Sequence, residues 1–116
     1  MQDFRNLKVW QRAHELALLV YRITADFPKD EVFGLRHSLR KSAIDIPALI
    51  AEGCGKPNDT ELSRSISAAV AVAYRLEYQI LMAKDLEFIN AEVHNSLETE
   101  LTEVKKMLNG FNRRLG

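Results

Sequence analysis

Residues 62–83 read LSRSISAAVAVAYRLEYQILMA. Within them Leu62, Ile66, Ala69, Ala73, Leu76, Ile80 and Ala83 recur at intervals of 4,3,4,3,4,3. A strand would bring its apolar residues round every second position. This rhythm keeps one line of side chains on one side of an α-helix over some six turns. The block Ala68-Ala69-Val70-Ala71-Val72-Ala73 is small throughout, so a neighbouring helix can approach closely. The helix is expected to open at Asn58, whose side chain is placed to cap it, with Glu61 completing a capping box. Downstream, Asp85 to Ile89 reads as a tight connection.

The segment before it is less regular. Residues 42–56 read SAIDIPALIAEGCGK, an apolar helix with a proline inside it. Leu35, Leu39, Ser42, Ile46 and Leu49 keep the same rhythm, with Ala43 and Ile50 alongside. Pro47 has no N–H for the carbonyl of Ala43 and its ring crowds that carbonyl, at a cost of about 3 kcal/mol inside a helix. The chain can stop and restart there or continue with a kink. Because the apolar phase runs unbroken from Ile46 to Leu49 and Ile50, the kinked helix is expected. Gly53 and Gly55 are expected to take the left-handed positions that end it, and Lys56-Pro57 prevents resumption. At its start, Asp30 and Glu31 place negative charge where the helix dipole favours it. Gly34 costs about 1 kcal/mol against alanine, so a neighbouring backbone is expected to pass close.

The first helix, about Leu7 to Asp26, carries Val9, Ala13, Leu16, Val20, Ile23 and Phe27 at 4,3,4,3,4 spacing. Trp10, Ala17 and Tyr21 form a second line, with His14 interposed. Lys8, Arg12, Glu15, Arg22 and Asp26 mark the polar side, yet Leu19 falls there and Leu18 lies next to it. More of this helix is apolar than one core requires, so Leu18 and Leu19 are candidates for an interface between copies. Phe27-Pro28 ends the helix. A fourth helix, capped by Asn90, carries Val93, Leu97, Leu101, Val104, Leu108, Phe111 and Leu115. Its acids (Glu92, Glu98, Glu100, Glu103) precede its bases (Lys105, Lys106, Arg113, Arg114), the order the dipole favours on a solvated face. Four such segments joined by short loops predict an all-α protein. The expected fold is one domain over residues 1–116, an up-down-up-down antiparallel four-helix bundle whose second helix is kinked at Pro47.

Composition narrows the chemistry. The 116 residues carry zero net charge, 47% hydrophobic and 28% charged residues, and one cysteine. That excludes a generally basic nucleic-acid binder but leaves room for a local basic patch. One cysteine permits no internal disulfide, which fits a reducing compartment. The start, MQDFRNLKVWQRAHE, lacks the apolar run of a signal peptide. No stretch approaches the ~20 apolar residues that cross a bilayer. A cytoplasmic protein without a membrane partner is expected.

Catalytic signals are thin. His14, His37 and His94 are dispersed over three helices without metal-ligand spacing, so no metal and no cofactor are expected. Cys54 lies at a helix C-terminus, where the dipole disfavours a thiolate. The GCGK run lacks the spacing and the preceding strand of a phosphate loop. Glu52, at the end of an apolar stripe, reads as a half-buried carboxylate that fixes the turn into the third helix. No catalytic residue is assigned, and no enzymatic activity is expected.

The best lead is cationic. Arg36, His37, Arg40 and Lys41 share one side of the second helix, and Lys8, Arg12 and Arg5 are candidates to extend the patch. Residues 1–58 hold nine Lys/Arg against seven Asp/Glu, and residues 59–116 the reverse. Such a patch can contact nucleic-acid phosphates, and repetition around an oligomer would strengthen it. It can equally be a solvated face, or pair with acids of a neighbouring copy.

The stretches FRNLKVWQRAHELALLVYRIT, FPKDEVFGLRHSLRKSAIDIPALIAEGCGK and LEYQILMAKDLEFI together resemble the 23S rRNA intervening-sequence protein family. The positions that carry the likeness are Val9-Trp10-Gln11, Phe27-Pro28, Glu31, Gly34-Leu35, Arg40-Lys41, Pro47 and Ile50-Ala51-Glu52-Gly53. Of these, Trp10, Gly34, Pro47, Glu52 and Gly53 read as structural. The resemblance implies small four-helix bundles assembled as homopentamers. A related group implied by it, the accessory proteins of diversity-generating retroelements, binds nucleic acid and reverse transcriptase through basic surfaces. On that basis Arg40 and Lys41, with Arg36 nearby, are the positions expected to meet RNA or DNA. The chain departs from the family pattern at Leu49, Ala71-Val72 and Arg75. Two readings stay open: a homo-oligomer with a weak, nonspecific nucleic-acid surface, and a scaffold that docks another protein on surface such as Leu18 and Leu19.

Overall fold

Four helices make up most of the chain: α1 (Lys8–Thr24), α2 (Leu35–Cys54), α3 (Asp59–Asp85) and α4 (Ala91–Leu115), with single 3-10 turns at Phe4–Asn6 and Lys29–Glu31. The structure, a computed structural model, describes residues 2–115. Among these residues there is no β-strand. At 1.5 Å per residue α3 is about 40 Å long, close to the molecule's longest dimension of 43 Å.

Each helix packs on its neighbours in sequence and α1 also packs on α4, while the diagonal pairs α1–α3 and α2–α4 make no backbone approach. The axes therefore stand at the corners of a square. Gly53 of α2 lies against Leu62 and Ser65 of α3, and Asp45, earlier in α2, lies 3.9 Å from Arg75, later in α3. Across α3 and α4, Ser63 donates to Asn112 at 2.6 Å and Lys105 donates to Glu77 at 3.1 Å. The core is filled by the heptad-spaced residues: Val20, Ile46, Ile50, Ile66, Leu76, Ile80, Leu101, Val104 and Leu108 are essentially sealed from solvent. Emptying any large one of these sites would cost about 2–5 kcal/mol.

The caps expected at Asn58 and Asn90 form. Asn58 Oδ1 accepts from the Glu61 N–H at 2.9 Å, and Asn90 Oδ1 from the Val93 N–H at 2.8 Å. Only half of the capping box is made, because the Glu61 carboxylate turns to Arg64 at 3.1 Å. Helix α2 runs through Pro47 without a break, as the unbroken apolar phase required.

Four local expectations need correction. Helix α2 begins at Leu35, and Asp30 and Glu31 lie in the 3-10 turn before it. Glu31 nevertheless accepts from the Leu35 N–H at 3.3 Å, so its charge still serves the helix start. The space at Gly34 is taken by the Glu31 carboxylate and not by a neighbouring backbone; a Cβ there would collide with Glu31 Oε2. Gly53 and Gly55 are not left-handed: Gly53 is inside α2 and Gly55 has φ −86°. Gly53 is needed for close packing, since an added Cβ would stand 2.8 Å from Leu62 Cδ1 and from Ser65 Cβ. Glu52 is exposed and makes no side-chain bond among the described residues; its backbone carbonyl accepts from Gly55 N–H at 3.1 Å. It faces water at the end of the stripe.

Candidate functional site

The residues singled out in the sequence fall into three places. The first is the junction of α1 and α2. The last carbonyls of a helix lack intrahelical donors, and here two arginines supply them. Arg36 donates from Nε to the Thr24 carbonyl and from Nη2 to the Ala25 carbonyl, both at 3.0 Å. Arg40 donates from Nε to Thr24 Oγ1 at 2.8 Å and from Nη2 to the Tyr21 carbonyl at 3.0 Å. Its guanidinium also lies 4.3 Å from the centre of the Tyr21 ring. Lys41 pairs with Asp45 at 3.1 Å. Of these four residues, only His37 is exposed without a bonded partner among the described residues.

The second place lies far from the first. Arg12 is about 18 Å along α1 from Thr24 and turns towards α4, donating from Nε to Glu100 at 3.1 Å. That partner holds the guanidinium pKa above its ordinary value, through the hydrogen bond first and its charge second. Lys8, a turn earlier, lies where the start of α1 meets the end of α4. There it borders a groove of about 450 Å³ shared with Leu7, Lys106, Met107, Gly110 and Arg114. Lys8 and Arg12 thus do not extend the Arg36–Lys41 cluster; they lie towards the other end of α1, on the side that meets α4.

The third place is apolar. Along the seam of α1 and α2 two depressions of about 460 and 500 Å³ share Tyr21 and Ile44. Together they make one furrow that holds Trp10, Leu18, Pro47 and Phe33. Trp10 is half-buried, stacked on His14 at 4.9 Å and in an edge-to-face contact with Phe4. Phe33 is 92% exposed, Leu18 44% and Ile44 43%. Leu19 differs from expectation: it is half-buried against the core, and Leu18 alone of the pair faces out. On α3 a second surface shows Tyr74 at 58% and Tyr78 at 62% exposure, with Leu81 beside them.

Cys54 is buried, and its thiol pKa is raised chiefly by that burial and then by the charge of Asp3. Among the described residues no group of three or more His, Cys, Asp or Glu side chains is placed to hold a metal ion. Among the described residues no helix is long and apolar enough to cross a membrane.

Residues 5–110 match the family model described as 23S rRNA-intervening sequence protein. The chain belongs to that family. A crystal structure of a protein of unknown function from the S23 ribosomal protein family, from Bacteroides thetaiotaomicron, superposes with a TM-score of 0.80 at 20% identity. The match covers 90% of this chain and 97% of that one, a likeness that speaks for the fold. A comparison with curated proteins finds no match.

For this member of the intervening-sequence family, the sequence does not single out Phe33, Tyr74 or Tyr78, and it shows Lys106 and Arg114 only as bases on the solvated face of the fourth helix. A signal for the tyrosines was present. Ala71, Tyr74, Tyr78 and Leu81 keep a 3,4,3 spacing of their own, a second stripe offset from the core seam. For the groove there was none, because it is made by residues a hundred positions apart.

Proposed function

We propose that this protein is a non-enzymatic homo-oligomer, with five subunits as the expected number, whose cationic surface binds RNA or DNA weakly and without sequence preference. Each subunit is an up-down-up-down antiparallel bundle, bent in α2 at Pro47. The antiparallel order is supported by the residue pairs that cross the seams: higher numbers in one helix meet lower numbers in the next.

One observation carries the assembly. The furrow with Phe33, Leu18 and Ile44 and the α3 stripe with Tyr74 and Tyr78 are separate apolar faces of one small chain. An aromatic side chain offers some 150–250 Å² for burial. Tyr21 and Phe33 on the furrow and Tyr74 and Tyr78 on the stripe, with their aliphatic neighbours, give each face apolar area to bury in such a contact. Two different faces favour head-to-tail contact, furrow to stripe, and such contacts close into rings when the rotation permits. Light scattering on the purified protein tests this, with a mass five times that of the monomer expected.

The nucleic-acid part draws on cations without carboxylate partners and on the family name. Binding of a structured RNA across a salt series tests it; affinity should fall steeply with salt, and no binding at low salt would remove it. The furrow also supports a second reading, a docking site for another protein such as a reverse transcriptase. A partner retained after nuclease treatment, on a complex whose subunits still assemble, would favour that reading.

A further inference from the structure

We infer that the phosphate contacts of this protein are made in the groove between the start of α1 and the end of α4, and not by the Arg36–Lys41 cluster. This rests on the nucleic-acid reading above. Arg36 and Arg40 keep their charge, but each guanidinium is already fixed by two hydrogen bonds at the end of α1, and Lys41 pairs with Asp45, so these side chains are less free to close on a phosphate. The groove differs in kind. Lys8, Lys106 and Arg114 line it, Arg113 stands beside it, and among the described residues no carboxylate comes within 4 Å of any of the four. No acidic residue lines it; Glu15 and Glu100 border an adjoining depression that shares Lys8, and Glu100 is held there by Arg12.

Shape agrees with a chain of phosphates. Gly110 opens the middle of the groove: a Cβ there would meet nothing nearer than Arg113 Nη2 at 3.9 Å. Lys106 and Arg113 are seven residues apart, about 10 Å along α4, so the cations are spread along the groove and suit more than one phosphate of a strand. Leu7, Met107 and Phe111 give an apolar floor, suited to sugar faces and unsuited to holding one small hydrated anion. The first turn of α1 opens on the same groove with no acidic residue and no side-chain cap, so its N–H groups add to the positive potential.

The test uses the full chain and a fluorescent 20-nucleotide RNA strand, followed by anisotropy from low to moderate salt. Lys8→Ala/Lys106→Ala/Arg114→Ala should weaken binding at low salt at least tenfold. It should also flatten the log–log salt slope by about 2, near 0.7 per lost contact to a single strand. His37→Ala/Lys41→Ala should bind within twofold of wild type. Gly110→Glu puts a carboxylate into open space, so it should keep the helical circular dichroism and still weaken binding tenfold. If wild type binds and the triple variant binds within twofold of it, the groove assignment is overturned while the nucleic-acid reading stands. If wild type does not bind, both are overturned. Inorganic phosphate should displace the RNA no better than chloride at equal ionic strength; stronger displacement would mark a single-phosphate site and also overturn the assignment.

Discussion

Arg40 Nε lies 2.8 Å from the hydroxyl oxygen of Thr24, which itself donates to the Val20 carbonyl at 2.7 Å. Thr24 is almost wholly buried, so the end of α1 is tied to α2 through a side chain that water does not reach. Arg36 completes the tie on the carbonyls of Thr24 and Ala25. Hydrogen bonds from a charged donor are worth about 1.5–3 kcal/mol when buried. Partial exposure here lowers that to roughly 1–2 kcal/mol for each arginine. Arg36→Ala and Arg40→Ala should each lower the melting temperature by several degrees, measured by circular dichroism. RNA binding by the still-folded variants should change less than twofold.

Glu87 is the single non-glycine residue with positive φ, 63°, among the described residues. It ends α3 in a Schellman arrangement: Phe88 N–H reaches the Ala83 carbonyl and Glu87 N–H the Lys84 carbonyl, both at 2.9 Å. A side chain in this conformation costs about 1–2 kcal/mol, and glycine returns part of the gain as unfolded-state entropy. Glu87→Gly should therefore stabilise the protein by about 0.5–1 kcal/mol in urea denaturation.

Gly53 sets the opposite case. Alanine is the better helix former by about 1 kcal/mol, yet its Cβ would press on Leu62 and Ser65 of α3. Overpacking of this kind costs about 1–3 kcal/mol. Gly53→Ala should be net destabilising by roughly 1–2 kcal/mol. Gly110→Ala, at an open site in α4, should stabilise by up to about 1 kcal/mol in the same assay.

Glu98 provides a pH signature. Its carboxyl pKa is raised, first by burial at the seam of α3 and α4 and then by Glu77, against the lowering pull of His94 and Lys105. The folded state therefore holds this proton more tightly than the unfolded chain. Its contribution to stability is fully present below the unfolded carboxyl value of about 4.3 and is lost as pH rises through the higher folded value. Glu98→Gln should be more stable than wild type at pH 7, and the difference should shrink as the pH is lowered through 4.

Helix number, the core lines and both asparagine caps were legible in the sequence because each depends on residues a few positions apart. The 4,3 rhythm names Ile66, Leu76 and Ile80 as core without any knowledge of the partner helix. What was not legible depends on tertiary neighbours. Gly53 looks like a helix terminator until Leu62 and Ser65 are seen against it, and Glu87 does not look like a left-handed residue at all. The Arg36–Lys41 cluster is visible in the sequence as a row of basic residues, but the carbonyls of α1 that Arg36 and Arg40 hold are not. Lys8 was named, but Lys106 and Arg114 join it only when the two ends of the chain are folded together.

Assembly depends on the two apolar faces. Light scattering of wild type, of a furrow variant (Leu18→Asp/Ile44→Asp), of a stripe variant (Tyr74→Asp/Tyr78→Asp) and of the two variants mixed tests them directly. Wild type should be oligomeric, each variant monomeric, and the equimolar mixture dimeric through the one furrow–stripe contact it retains. A wild type that stays monomeric at the concentrations where the variants are compared would contradict the account.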